Sequence, residues 1–255
     1  MKRIFCLLLS ALLLSLTACG GEAPPAVSSA GSSSDVGQAE DPPQKALPFT
    51  LAFYPEYSLH PVLGANRANM TLAPLLYESL FTVDASFQAQ PLLCQSWTVS
   101  EDKLAWTFTL RAGVTFSDGT PLTGQTAAAA LDLARSPGSR YQERLADIAA
   151  IAASDEAPNQ FTVTLRRANG SLPLLLDIPI ALGREDRPAG TGPYMLSEDG
   201  TALTARTDWW QRDKALPVQS ILLRTVTRSD ELIYDFDSGD ISLVDVDLMA
   251  TNAMG

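Results

Sequence analysis

The chain has 255 residues, 46% of them hydrophobic, enough to bury a substantial core in one large or two modest domains. Its formal charge of −11 sets an acidic surface against phosphate backbones, and no local cluster of Lys and Arg offsets it, so nucleic acid is excluded as a partner. A single histidine, His60, rules out a multi-histidine metal site, and no cofactor or metal is expected.

At the N-terminus, Lys2 and Arg3 precede an almost wholly apolar run from Ile4 to Leu16. This is too short to span a bilayer and has the layout of a secretion signal covering residues 1–18. The stretch "LTAC" that follows resembles the lipobox of bacterial lipoproteins, which makes Cys19 the expected lipidation site and first residue of the mature chain. Two acyl chains on Cys19 would give a stable anchor, since each buried CH₂ contributes about 0.8 kcal/mol. Cys6 would leave with the signal, so Cys94 remains as the mature thiol, with the role of a small buried hydrophobe. Residues 19–46, chiefly "GGEAPPAVSSAGSSSDVGQAEDPPQK", hold small and polar residues with several prolines and no aromatic. They read as a flexible leash of about 26 residues that spans roughly 25 to 30 Å.

Folded sequence begins with "LPFTLAFYPEYSLHP", where Phe49, Leu51 and Phe53 alternate as in a strand. In "MTLAPLLYESLF", Leu72, Leu75, Leu76 and Leu80 fall on one helical face, with Thr71 as a possible cap and Pro74 in the first turn. "QSWTVS" and "LAWTFTLR" flank "EDK" and predict a hairpin, and "VTFSDGTPLTGQ" predicts a strand entering a turn at Asp118 and Gly119. "QTAAAALDLAR" and "RYQERLADIAAI" both predict helices from propensity. "QFTVTLRR" alternates as a strand, and after about Arg184 come "GTGPYML", "TALTART" and "ILLRTV", the helix "SDELIYDFDSG" and a short strand "ISLVDV". Interspersed strands and helices with hairpins among them define a mixed-sheet α/β chain. Gly190, Gly192 and Pro193 read as close-packing residues rather than chemistry.

Five stretches in order carry a family resemblance: "LLYESLF", "QPLLCQSWTVSEDKLAWTFTLRAGVTFSDGTPLT", "GTGPYML", "WWQRDKALPVQSILLRTV" and "DSGDISLVDVDL". Together they resemble the family 5 extracellular solute-binding proteins of peptide, opine and nickel ABC importers. The resemblance implies a type II periplasmic-binding-protein-like fold. Residues 47–64 and 185–255 would form a mixed-sheet first lobe, with an additional α/β subdomain at 65–184. Members of the family are longer and continue into a second lobe after "GDISLVDVDL", so the resemblance implies either an incomplete sequence or a missing second lobe, and that this length alone binds its solute weakly or not at all.

The implied function is capture of oligopeptides or a related small solute outside the membrane and delivery to an ABC permease and ATPase. The protein would act as a monomer tethered to the membrane through the lipid at Cys19. Alternatives are a lipid-anchored receptor without transport and a nickel-chelate binder. The latter is disfavoured because Ile180 in "DIPIAL" stands where nickel binders carry an arginine, while Ser117 in "FSDG" replaces the histidine of many peptide binders. Ligand-binding candidates are Tyr54, Tyr57, His60 and Asn66 on the loop after the first strand, where an aromatic and amide surface suits peptide groups, with Arg140 and Tyr141 as a second pair. Packing roles for the tyrosines and a solvated turn for His60 are the alternatives. No paired-carboxylate, G-x-S-x-G or H-E-x-x-H motif supports an enzyme.

Overall fold

A computed structural model describes residues 48–245. Strand β1 (Thr50–Phe53) pairs in parallel with β12 (Ser220–Thr225), and β11 (Ala202–Ala205) and β10 (Tyr194–Leu196) continue the sheet antiparallel in the order β1-β12-β11-β10. A bridge from Leu51 to Leu243 adds one more parallel contact, so among the described residues the "ISLVD" part of "ISLVDV" supplies a single bridge rather than a full strand, and Val246 lies outside the described residues. Helix α1 (Arg67–Leu76) covers this sheet, and Leu51, Phe53, Leu72, Leu76, Leu203 and Ile221 form its core.

α1 differs from the sequence reading at both ends. Asn66 caps it, its side chain accepting from the Asn69 N–H, while Thr71 lies inside the helix and donates to the Ala68 carbonyl. Pro74 sits near the C-terminal end, and the helix stops at Leu76, so Leu80 packs from beyond it in the second core.

Two short antiparallel pairs, β2 (Phe81–Val83) with β3 (Ala89–Pro91) and β8 (Ala181–Leu182) with β9 (Ala189–Gly190), flank an antiparallel sheet that carries that second core in the order β4-β5-β7-β6, formed by β4 (Cys94–Val99), β5 (Ala105–Leu110), β7 (Ala157–Leu165) and β6 (Ile148–Ser154). The expected alternation holds in β5, where Trp106, Phe108 and Leu110 are buried. Phe108 stacks against Phe161 at 5.4 Å and meets Phe81 edge-on at 5.9 Å. Helix α2 (Gly124–Ala134) packs on this sheet through Ala127, Leu131 and Ala134, and Gly124 is required because a Cβ there would lie 1.9 Å from the Gln160 carbonyl oxygen.

The helix expected over "RYQERLADIAAI" is absent. Only a 3-10 turn at Glu143–Leu145 forms, and Ile148–Ser154 becomes the edge strand β6. Alanine-rich helix propensity, worth tenths of a kcal/mol per residue, loses here to a ladder against β7 that buries Ile148.

The N-terminus of α2 carries a reciprocal cap. The Thr123 hydroxyl accepts from the Thr126 N–H, and the Thr126 hydroxyl accepts from the Thr123 N–H. Thr123→Ala is expected to lower stability by about 1 kcal/mol, which shifts Tm by roughly 2–4 °C at this size, measured by thermal unfolding.

Candidate functional site

A cavity of about 160 Å³ opens at the carboxyl ends of β1 and β12. In open α/β sheets this is where ligands bind, because the loops leaving parallel strands diverge there and expose backbone groups. Tyr54 and Tyr57 from the loop after β1, Asn66 at the start of α1, Thr227 and Ser229 after β12, and the 243–245 segment line it. Ser229 begins helix α3 (Ser229–Asp237), which was expected from the sequence.

The loop after β1 is fixed by Asn69, which is fully buried. Its Oδ1 accepts from the Tyr54 N–H at 2.9 Å, and its Nδ2 donates to the carbonyls of Tyr54 and Tyr57 at 2.9 and 3.1 Å. The two tyrosine rings meet edge to face with centroids 6.2 Å apart. Tyr54 is buried and Tyr57 is 51% exposed. Burial, followed by the negative charges of Glu56 and Glu231, pushes the Tyr54 phenol up. The far wall is tied down by Arg67, which pairs with Asp245 at 3.6 Å, and by Ser242, whose N–H donates to the Thr50 carbonyl at 2.8 Å.

The structure brings Tyr54, Tyr57 and Asn66 together on this cavity and leaves the other three candidates elsewhere. His60 is 1% exposed, not a solvated turn residue. Its Nδ1 accepts from the N–H groups of Val62 and Leu63 at 3.2 and 3.3 Å, so Nε2–H donates to the Gly183 carbonyl at 3.3 Å. Both ring nitrogens are spent on backbone, and burial holds the pKa down, which fixes a neutral imidazole. Arg140 and Tyr141 line a separate cavity of about 480 Å³ beside Glu78 and Asp177, with Arg140 exposed and Tyr141 half-buried under Arg144 at 6.0 Å. Cys19 lies outside the described residues. Cys94 is buried, and burial pushes its thiol up to about 11, so it stays protonated and unreactive.

Three buried charged groups were not anticipated from the sequence: Glu78, Arg206 and Asp235, the last held by Arg224 at 2.9 Å. Glu78 accepts from the Trp209 and Trp210 indole N–H groups at 3.2 and 2.7 Å and from the Gln211 amide at 3.2 Å. Arg206, 6% exposed, donates to the carbonyls of Thr115, Phe116 and Gly190 at 3.2, 3.1 and 3.2 Å, and its guanidinium holds the Asp208 carboxyl below the usual range. The first hint of Glu78 is a carboxylate inside the apolar run "LLYESLF". Nothing local marks Arg206, whose partners lie up to 91 residues away. Gly190 and Gly192 have the close-packing role expected of them: a Cβ would lie 2.1 and 2.5 Å from α1 backbone atoms of Leu76.

A mixed sheet with a cavity at its parallel carboxyl edge, joined to a second antiparallel layer, is the architecture of one lobe of a solute-binding protein. The family of bacterial extracellular solute-binding proteins, family 5, matches residues 88–253, and the chain belongs to it. It is 30% identical over 169 residues to a Sinorhizobium fredii protein named "probable peptide ABC transporter periplasmic-binding protein y4tO", covering 62% of this chain and 32% of that one. The glutathione-binding protein GsiB of Salmonella typhimurium is 29% identical over 189 residues, covering 67% and 36%.

Among solved structures, the binding protein MoaA of A. tumefaciens R10 in complex with mannopinic acid superposes with a TM-score of 0.62 at 26% identity, over 76% of this chain and 43% of that one. The oligopeptide-binding protein AppA of Bacillus subtilis, in complex with a nonapeptide, shares the fold with a TM-score of 0.60 at 17% identity, over 76% and 42%. The fold is that of the type II periplasmic binding proteins. The chain spans about a third of the length of the curated relatives it matches.

Proposed function

We propose that this chain is the ligand-contacting part of an ABC importer's substrate-binding lipoprotein, which captures oligopeptides or a related small solute and delivers it to a permease and ATPase. The observation that carries this reading is the cavity at the carboxyl ends of β1 and β12, lined by Tyr54, Tyr57 and Asn66, in a member of a solute-binding family. The names of the relatives, peptide- and glutathione-binding proteins, support a small peptidic solute. In this reading Cys19 carries the lipid and residues 19–46 are the leash. The first lobe comprises 47–64 and 185–255, with 65–184 as a subdomain; the two sheets with separate cores fit that division except at α1, which lies in the 65–184 stretch but packs in the core of the first-lobe sheet.

Tyr57 is half exposed and outside both cores, so its removal tests the site without disturbing the fold. With native protein released from membranes, glutathione and tripeptides are expected to bind saturably in calorimetric titration. Tyr57→Ala is expected to weaken that binding about ten-fold, the range for an aromatic anchor. Unchanged affinity would move the solute away from this cavity.

A further inference from the structure

We propose that the free edge of β10 is a second binding site, for an α-amino acid with an apolar side chain, separate from the cavity assigned to the solute. In the sheet order β1-β12-β11-β10 the two sites lie at opposite edges, with β10 roughly 14 Å from β1 at about 4.8 Å per strand. Met195 of β10 opposes Thr204 of β11. On either side, the Arg206 N–H donates to the Pro193 carbonyl and the Ser197 N–H to the Ala202 carbonyl, both at 2.8 Å. The alternation of an antiparallel ladder then turns the main-chain N–H and C=O groups of Tyr194 and Leu196 away from β11, and no strand among the described residues lies beyond to take them. Both residues line a cavity of about 370 Å³, a size that suits a small ligand. Tyr194 is buried, and unpaired main-chain groups in such a place favour an occupant that bonds to them.

The rest of the lining selects that occupant. Its charged residues are one carboxylate, Asp118, and one guanidinium, Arg187. Asp118 accepts from the Thr120 N–H at 2.9 Å through Oδ1, while Arg187 donates through Nη2 to the Pro55 carbonyl at 3.3 Å and lies 5.5 Å from the centre of the Phe53 ring. These partners are neutral, so each charge remains available to a ligand. An α-amino acid carries an ammonium and a carboxylate on one carbon. The edge carbonyls and Asp118 accept from the first, and the edge N–H groups and Arg187 donate to the second. Leu59 and Leu76, buried and lining the same cavity, offer its side chain apolar contact. Tyr77 adds a ring whose hydroxyl is already spent on the Pro188 carbonyl at 3.1 Å. β10 is only Tyr194–Leu196, preceded by Pro193 and followed by the turn from Ser197 to Gly200, so it has room to pair with a single residue rather than with a long extended peptide.

The test is calorimetric titration of the native full-length protein with leucine, alanine and N-acetyl-leucine amide, with Ala-Ala-Ala as competitor. Leucine is expected to bind saturably, and alanine and the capped leucine each about ten-fold more weakly, for want of apolar contact and of charge respectively. Asp118→Asn keeps an acceptor for the Thr120 N–H, and Leu196→Pro deletes an edge N–H without touching the Met195 and Thr204 pairing. Each should weaken leucine binding about ten-fold. Tyr57→Ala and saturating Ala-Ala-Ala should leave it unchanged. Thermal unfolding checks that the variants fold, and Asp118→Asn decides alone if Leu196→Pro does not. No saturable leucine binding, equal binding of alanine or the capped leucine, or an affinity that survives Asp118→Asn overturns the site. Leucine displaced by Ala-Ala-Ala or weakened by Tyr57→Ala sits in the solute cavity instead, which also overturns it.

Discussion

Arg206→Met is expected to lower stability to urea by about 3–5 kcal/mol, among the largest losses available to a single substitution here. The Arg206 guanidinium is buried between two segments. From the turn after β5 it takes the Thr115 and Phe116 carbonyls, and from the strand β9 (Ala189–Gly190) the Gly190 carbonyl. Methionine matches the stem but supplies no donor, so carbonyls that lost water on folding lose their partner too, at about 1–3 kcal/mol for each one left unsatisfied. The same contacts join the antiparallel layer to the edge of the mixed sheet, so the variant should also lose cooperativity. A loss below 1 kcal/mol with an unchanged denaturant slope would show that water replaces the guanidinium at little cost.

Glu78→Leu is expected to cost about 2–4 kcal/mol at pH 7, because the Trp209 indole N–H is buried and left without an acceptor, while Trp210 and Gln211 are half-exposed and can turn to water. The pH dependence has a definite sign. Burial raises the Glu78 pKa above the ordinary carboxylate value, and the hydrogen bonds it accepts only partly restrain the rise. The folded state thus holds this proton more tightly than the unfolded chain. The stability from Glu78 is fully present below its unfolded pKa and is lost as pH rises through the folded one. The cost of Glu78→Leu should therefore be greater near pH 4 than at pH 7, as read from urea midpoints. A cost that shrinks on acidification would mean that the indole donors outweigh desolvation and lower the pKa.

Where a pattern repeats locally, the fold could be read from the chain. Alternation in "LAWTFTLR" marked β5, helix propensity in "QTAAAALDLAR" marked α2, and "SDELIYDFDSG" marked α3, each within one or two residues. β6 could not be read that way, since "IAAIAAS" has helix propensity, and its ladder to β7 is set by tertiary pairing. The start of α1 was misplaced because Thr71 and Asn66 are both capping residues, and only packing of Asn69 against the Tyr54 loop selects Asn66. At the site, Tyr54, Tyr57 and Asn66 were accessible to sequence reasoning because they flank the end of β1. The opposite wall was not, since Thr227, Ser229 and Asp245 reach the cavity only through the parallel β1 and β12 pairing across about 170 residues of chain. His60 shows the converse. A lone histidine on that loop has the chemistry of a ligand contact, and only the fold reveals that backbone groups already occupy both of its nitrogens.

Photo-crosslinking locates the bound solute. A tripeptide bearing a benzophenone side chain would be bound to the native protein, irradiated, and the adducts mapped by mass spectrometry, with unlabelled glutathione and tripeptide as competitors. Saturable, competed adducts are expected on residues 54–71 and 227–245, the two walls of the cavity. Competed adducts confined to the separate cavity around Arg140 and Tyr141 would contradict that location.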